Sequence, residues 1–470
     1  MTLSRDQIVP ALIQLLGAES VLAEPADMAG YLSEPRRRFH KEAQAIALPR
    51  TVAEVQAVME WAHEVGVHIV PQAGNTGLVG GQVPLYGDEV IVSISRLRGV
   101  RSVDAAAGHM TLDAGTTLEE AHEAAEEAGM MFPLYIASQG SARIGGVLGS
   151  NAGGVQVLSY GNARELCLGV EAVLADGSIY NGLNALRKDN TGYDLKDLLV
   201  GSEGTLGIIT AATLKLYPKP ETYETALLNV ASPQAALEVF AQLRARAGNT
   251  LTAFELMPRI GFEFQLKHGM IAQDPTAAVS GWYVLAEISV PKGGRGSALS
   301  EAVEDMFETG LVGNGVIADS LAQRQAFWVA REQMSEVQSR EGASIKHDVS
   351  VPVAAVPELI ARGSEAAARV VPGIRPVPFG HLGDGNIHFN FSQPEGADPK
   401  AFMDGAEAVH EVVYAVVREL GGSVSAEHGI GQLKTGLLKA VKDPVALKMM
   451  RAIKSALDPK GILNPGKLLG

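Results

Sequence analysis

Three short segments carry side chains able to do chemistry. One is Pro378-Phe379-Gly380-His381-Leu382-Gly383-Asp384-Gly385-Asn386-Ile387-His388-Phe389-Asn390, and a second is Ser425-Ala426-Glu427-His428-Gly429. The third pairs Arg331-Glu332-Gln333-Met334-Ser335 with Lys346-His347-Asp348 downstream. On a helix, the spacing of His381 and His388 would place both on one face. Gly383-Asp384-Gly385-Asn386 is a turn sequence that breaks a helix, so a loop entering a strand is the better way to bring both imidazoles to one point. Two imidazoles and one carboxylate suit Zn2+, Mn2+ or Fe2+ and leave coordination positions open for a substrate. A lone histidine is as well explained by a hydrogen-bonded place in a core. Two histidines flanking a glycine turn, with a Glu-His pair before another glycine, favour metal. Arg331 and Ser335 share a face of an expected helix. An arginine fork can take a carboxylate in two places, although a surface pairing with a nearby glutamate is the plainer alternative.

Glycine is the second signal. It makes up 52 of 470 residues, above the usual ~7%, and the excess is clustered. Pro71-Gln72-Ala73-Gly74-Asn75-Thr76-Gly77-Leu78-Val79-Gly80-Gly81-Gln82 follows an expected strand. A second cluster runs from Gly140-Ser141-Ala142-Arg143-Ile144-Gly145-Gly146 to Asn151-Ala152-Gly153-Gly154, and a third is Gly201-Ser202-Glu203-Gly204-Thr205-Leu206-Gly207. Glycine lets backbone N–H groups turn inward and approach an anion. No cluster matches Gly-x-Gly-x-x-Gly or a Walker loop, which disfavours a nicotinamide-binding Rossmann domain. One cluster alone reads equally as a tight turn. Three in one region point to a large phosphate-bearing ligand and no further.

The elements that position these groups are legible in outline. With 470 residues and a formal net charge of -14, the chain is too long for one ordinary core. It is also too acidic to grip a nucleic-acid backbone, and Arg36-Arg37-Arg38 is too short a basic run to change that. An acid-binding site therefore needs cations of its own. The single cysteine, Cys167, excludes a disulfide framework and a cysteine-only metal or iron–sulfur site, and reads as an inert thiol at a strand start. No stretch has the ~18 uncharged apolar residues of a membrane span, and no signal pattern opens the chain. The expected location is cytoplasmic, with attachment to the surface of the inner membrane left open.

Thr51 and Glu54 form a capping box before Val55, Val58, Met59 and Ala62, and Gly66 closes that helix. Residues 67–70 and 89–95 read as strands, and Thr117 with Glu120 caps a second helix ended by Gly129. Residues 170–175 and 178–181 read as a hairpin about Asp176-Gly177, and 207–216 as a strand. Pro218 and Pro220 mark a boundary. Beyond it Ser232-Pro233 opens a helix. Helices are expected at 297–307, 320–339, 353–370 and 398–420, and strands at 283–290, 345–351 and 377–391. This predicts an α+β domain, an antiparallel sheet with helices on one face. A last helix, 445–457, leads into a turn-rich tail.

The first glycine loop, Asn151-Ala152-Gly153-Gly154, Asp189-Asn190-Thr191-Gly192-Tyr193-Asp194-Leu195 and the stretch from Gly201 to Thr210 together resemble the FAD domain of the vanillyl-alcohol oxidase and p-cresol methylhydroxylase superfamily. Asn464-Pro465-Gly466-Lys467 resembles the closing motif of its D-lactate dehydrogenase and glycolate oxidase branch. The resemblance runs from about Ala45 to Lys467. It implies an N-terminal helical segment (1–40), a two-part p-cresol-methylhydroxylase-type FAD-binding domain (41–220), an α+β substrate or cap domain (221–430) and a C-terminal segment (431–470) returning to the FAD domain. It assigns Gly74, Asn75, Thr76, Gly77, Leu78, Gly80 and Gly81 to the flavin pyrophosphate, with Pro71 and Gln82 also at the cofactor. Gly140, Ser141, Gly145, Gly146, Asn151, Gly153, Glu203, Gly204, Ile209 and Asn464 would line the rest of the cofactor. Some relatives attach FAD through a histidine in the first loop. This loop has Asn75 and no histidine, so non-covalent FAD is expected.

The histidine segments resemble the metal motifs of D-2-hydroxyglutarate dehydrogenases and their D-lactate relatives. That implies His381, His388 and Glu427 as ligands of a divalent metal, Zn2+ in the first instance, and His428 as the catalytic base. It implies Asn390 at the substrate carboxylate, and Arg331, Ser335 and Lys346 at a distal carboxylate. Ser335 stands where threonine is usual, which keeps the hydroxyl. His347 stands where an aromatic is usual, which leaves its part open. The expected activity is oxidation of a small D-2-hydroxy acid, foremost D-2-hydroxyglutarate, by hydride transfer to FAD. A D-lactate dehydrogenase or glycolate oxidase flavin subunit is the alternative. An electron-relaying flavin subunit and a flavin-free metal hydrolase are readings of other classes. The electron acceptor stays open between an electron-transfer flavoprotein, a quinone and a cytochrome. No nucleic-acid partner is expected, and a homodimer is one option for the assembly.

Overall fold

The computed structural model of the protein describes residues 3–294 and 296–470. They form two compact units. Met1–Gly154, Gly161–Lys219 and Glu427–Gly470 make the first, and Val155–Tyr160 with Pro220–Ala426 make the second.

In the first unit the strand Val90–Ser93 lies between Ala45–Ala47 and Ile69–Gln72 and runs parallel to both. Parallel strands need crossovers, and the helix Val52–Val65 carries the chain from Ala45–Ala47 past the central strand to Ile69–Gln72. Thr51 accepts the Glu54 N–H, Val55, Val58, Met59 and Ala62 are buried, and Gly66 ends the helix in the left-handed conformation. Val90, Ile91 and Val92 are fully buried, as a strand covered on both faces requires. The C-terminal tail joins this sheet, for Ile69 donates its N–H to Ile462 and accepts the Asn464 N–H. A second, antiparallel sheet runs in the order Val100–Asp104, His109–Asp113, Ile208–Lys215, Cys167–Val173, Ile179–Asn181. Its last two strands are the hairpin about Asp176-Gly177, and Cys167 opens its strand as expected.

The second unit is an antiparallel sheet in the order Asn314–Ile317, Thr222–Val230, Trp282–Val290, Leu251–Pro258, Arg375–His381, Asn386–Ser392, Ser344–Ile345, with Asp348–Ser350 also paired to Asn386–Ser392. Residues two apart on a strand, and their cross-strand partners, share a face. Leu227, Leu285, Met257, Phe379 and Val377 thus lie on one face, in a core with Phe262, Phe327 and Met334 of the helices Arg259–Lys267, Leu321–Glu332 and Met334–Arg340. On the opposite face Phe254 meets Phe240 of the helix Pro233–Ala247. There too Phe389 presses so close to Gly363 of the helix Val356–Val370 that a Cβ would sit 2.2 Å from its ring. Helices therefore cover both faces, not the single face expected.

Other expectations need redrawing. The helix expected over 320–339 is two, broken at Gln333, and that over 398–420 breaks at Gly405. The strand expected over 345–351 is interrupted at Lys346 and His347, and 377–391 is a hairpin. The strand Leu251–Pro258 escaped notice because all of it is buried, and a strand covered on both faces shows no period of two. Among the described residues no helix is long and apolar enough to cross a membrane.

Candidate active site

The two histidines meet through a hairpin register. His381 pairs with Asn386, and His388 lies two residues beyond Asn386. It therefore points to the same face, diagonal to His381. The rings stand edge to face with centroids 5.6 Å apart. Gly385 makes the hairpin turn with φ 83°, where a Cβ would strike the Val351 carbonyl at 2.1 Å. The third ligand arrives along a neighbouring strand. Asp348 pairs with His388, Ser423 exchanges hydrogen bonds with Ser350, and Ala426 donates to the Asp348 carbonyl. This delivers Glu427, the next residue. Candidate ligand atoms of His381, His388 and Glu427 all lie within 4.8 Å of one another. Two imidazoles and a carboxylate at that spacing fit Zn2+, Mn2+ or Fe2+.

A residue that sequence reading missed organises this site. Glu255, 1% exposed, pairs across strands with His381. Its Oε1 lies 2.6 Å from His381 Nδ1, and its Oε2 accepts from Arg331 Nε at 2.6 Å. A carboxylate can only accept, so Nδ1 carries the ring proton and Nε2 is left as the ligating nitrogen. Burial alone would push the Glu255 carboxyl up, but the Arg331 charge and the hydrogen bonds from His381 and Arg331 hold it at about 2. The available signal was a single charged residue in the mostly apolar run Leu251–Pro258. A carboxylate buried there demands a cation.

Arg331 is itself buried, with its guanidinium carbon 5.1 Å from the Phe379 ring centroid. Ser335 opens the following helix rather than continuing that of Arg331. Its hydroxyl accepts from Lys346 Nζ at 3.1 Å, so these two side chains are brought together. Asn390 is buried on the strand face of His388. His347 is buried with Nδ1 2.8 Å from the Phe389 carbonyl and Nε2 2.9 Å from His410 Nδ1. A carbonyl only accepts, so His347 donates from Nδ1 and takes the His410 proton at Nε2, which makes it a bonded core residue.

The first unit holds a cavity, partly open to solvent, with about 1000 Å3 of empty space counting its open mouth. Pro71, Gly74, Asn75, Thr76, Gly77, Gly81, Gln82, Gly145, Gly146, Glu203, Gly204 and Ile209 line it, as does His428. Leu78, Gly80, Gly140, Ser141, Asn151, Gly153 and Asn464 are outside that lining, whereas Arg143, missed by sequence reading, is part of it. The cavity fits a phosphate-bearing cofactor that also offers hydrogen-bond donors, on two counts. No backbone N–H from Gly74 to Gln82 finds an acceptor among the described residues, and a row of unpaired donors is a phosphate nest. Among the described residues Asn75 Oδ1 is also buried without a partner, an acceptor that a hydroxyl or N–H of a cofactor would satisfy, while Asn75 Nδ2 bonds the Gly30 and Ser33 carbonyls.

Backbone strain collects at the same motifs. Asn75, Asn151, Glu203 and Asn464 all adopt positive φ, between 46° and 54°, a conformation that non-glycine residues hold only where surroundings dictate it. The surroundings are specific. Glu203 accepts the Ile430 and Gly431 N–H groups at 2.7 Å each, and burial pushes its carboxyl up. Asn464 Nδ2 donates to the Gly81 and Glu203 carbonyls, and Gln432 Nε2 to those of Gly80 and Val83. Segments far apart in sequence are thus pinned around one cavity, with His428 on its wall.

Residues 43–182 match the FAD binding domain, and residues 219–468 match the C-terminal domain of FAD linked oxidases. Substrate-bound p-cresol methylhydroxylase shares the fold with a TM-score of 0.76 at 19% identity, over 98% of this chain and 96% of that one. An alkyldihydroxyacetonephosphate synthase does so with 0.77 at 17% identity, over 98% and 86%. Fold and cavity thus define an FAD-linked oxidase of the p-cresol methylhydroxylase fold, as the resemblance implied. Among relatives, D-2-hydroxyglutarate dehydrogenase of Xanthomonas citri pv. viticola is 39% identical over 99% of this chain and 96% of its own length. The mitochondrial D-2-hydroxyglutarate dehydrogenase of Bos taurus is 38% identical over 96% and 81%. A putative mitochondrial D-lactate dehydrogenase of Schizosaccharomyces pombe is 33% identical over 94% and 85%. The chain belongs to the D-2-hydroxyglutarate dehydrogenase family of FAD-dependent D-2-hydroxyacid dehydrogenases.

Proposed function

We propose that this chain oxidises D-2-hydroxyglutarate to 2-oxoglutarate at a metal-assisted site and passes the electrons to an external acceptor. The observation that carries the reading is Arg331, a buried arginine tied through Glu255 to the metal-ligand candidate His381. It supplies a second carboxylate-binding cation beside the His-His-Glu cluster. When bound, a divalent ion lowers the pKa of the substrate hydroxyl and FAD accepts the hydride. His381, His388 and Glu427 hold the ion. His428, bonded to Glu427 in the chain, accepts the hydroxyl proton, a role suited to imidazole near neutral pH. Arg331, Ser335 and Lys346 receive the distal carboxylate, and Asn390 helps hold the substrate carboxylate. FAD is bound without a covalent link, since no histidine stands in the first glycine loop. Acid precipitation should leave the flavin in the supernatant, and yellow colour in the washed pellet would refute this.

Arg331→Lys tests the substrate assignment. It keeps a positive charge for Glu255 but loses the planar fork. A charge-assisted hydrogen bond is worth ~1.5–3 kcal/mol, so kcat/KM for D-2-hydroxyglutarate should fall by about one to two orders of magnitude, with D-lactate scarcely affected. The relative named a D-lactate dehydrogenase favours a second reading, oxidation of a monocarboxylate. That reading prevails if D-lactate is the better substrate of the unmodified enzyme, or if the variant damages both substrates equally.

A further inference from the structure

We infer that Glu255 is a positioning residue that holds the metal-binding end and the carboxylate-binding end of the site in one fixed relation. The inference rests on the proposed roles of His381 and Arg331. The two oxygens of this carboxylate serve different partners. Oε1 takes the His381 Nδ1 proton and Oε2 takes the Arg331 Nε proton, both at 2.6 Å. The group is 1% exposed, so water cannot take over either bond. Its backbone is equally constrained, because Glu255 sits in register with His381 on the adjacent strand. A shift of the imidazole is therefore felt at the guanidinium, and the reverse. A substrate with an acid group at each end must match the separation that this one side chain sets.

The alternative is a plain clamp that fastens a helix to the sheet, and the molecule contains one for comparison. Glu287 lies on the same sheet face, buried, with its oxygens taken by Arg324, Trp328 and Thr225. Arg324 and Arg331 stand two turns apart on the helix Leu321–Glu332, each landing on a buried glutamate. Glu287 spends both oxygens on clamping. Glu255 gives one to a histidine, which fixes the ring tautomer and orientation and strengthens Nε2 as a donor. Among the described residues Arg331 donates to Glu255 through Nε alone, which keeps its terminal nitrogens for another acceptor.

The test compares Glu255→Gln with Glu287→Gln in the FAD-loaded enzyme. An amide cannot accept at both ends. Chelator competition, run without substrate, should show metal affinity lowered ~10–100-fold in Glu255→Gln, with the flavin spectrum unchanged. KM for D-2-hydroxyglutarate should also rise by roughly tenfold or more, by the loss of Arg331 alignment. Glu287→Gln should lower Tm yet keep the metal affinity and KM of the unmodified enzyme. Glu255→Asp retains the charge, shortens the reach, and carries the same two readouts if the glutamine variant does not fold. Unchanged metal affinity and KM in the Glu255 variants would make Glu255 a clamp like Glu287 and overturn the inference. A fall in metal affinity with KM unchanged would overturn the two-ended role. An unmodified enzyme that retains no metal overturns it as well. If D-2-hydroxyglutarate fails to reduce the unmodified enzyme, the substrate reading falls, while the metal measurement still decides whether Glu255 serves His381.

Discussion

Glu427 and His428 are consecutive, yet their side chains serve different ends. Glu427 joins two imidazoles within 4.8 Å, while His428 lines the cavity of the glycine loops. Replacing them should separate the two roles. His428→Ala should retain metal but slow flavin reduction by ~10²–10⁴, the usual worth of a general base. Elemental analysis together with stopped-flow absorbance checks this, and metal loss in His428→Ala would reassign the residue as a ligand. The histidines were legible in the sequence because their glycine turn and the Glu-His pair are local patterns. Glu255 and Arg143 were not, because a buried charge reveals its purpose only through partners distant in sequence. Glu255 meets Arg331 across 76 residues and His381 across 126. Ser335 was expected one turn beyond Arg331 on the same helix but lies in the next one, since nothing in 320–339 announces the break at Gln333.

At the scale of elements, the C-terminal segment acts as a strap that closes the cavity wall. Glu203 receives the backbone of Ile430 and Gly431, and Gln432 reaches the Gly80 and Val83 carbonyls. Glu203→Gln leaves one of those N–H groups facing an amide donor, at a cost of about 1–3 kcal/mol. The cost should appear locally. Amide exchange at Ile430 and Gly431 should accelerate, and flavin reduction should slow as His428 loses its anchor. Unchanged exchange at those two amides would show that Glu203 is not what holds the strap. Capped helices such as Val52–Val65 were readable because their signals sit within one turn. The second unit was harder. Its central strands are buried on both faces, and the helix Leu321–Glu332 faces the sheet with Arg324, Trp328 and Arg331 as well as with Phe327, which blurs its apolar stripe.

The whole molecule is acidic, with a formal charge of -14, and is expected to bind a doubly charged anion. Net charge therefore does not draw it in, and recognition falls to a few oriented cations. The glycine loops and the cavity they line belong to the first unit, and the histidine hairpin and Arg331 to the second. The most direct test of this division is anaerobic flavin absorbance in the purified enzyme. D-2-Hydroxyglutarate should bleach the oxidised flavin bands with metal present, more effectively than D-lactate. After chelation the bands should remain, because FAD stays bound while the metal is gone. Full bleaching by D-2-hydroxyglutarate in protein shown by elemental analysis to lack metal, or faster bleaching by D-lactate, would contradict the account.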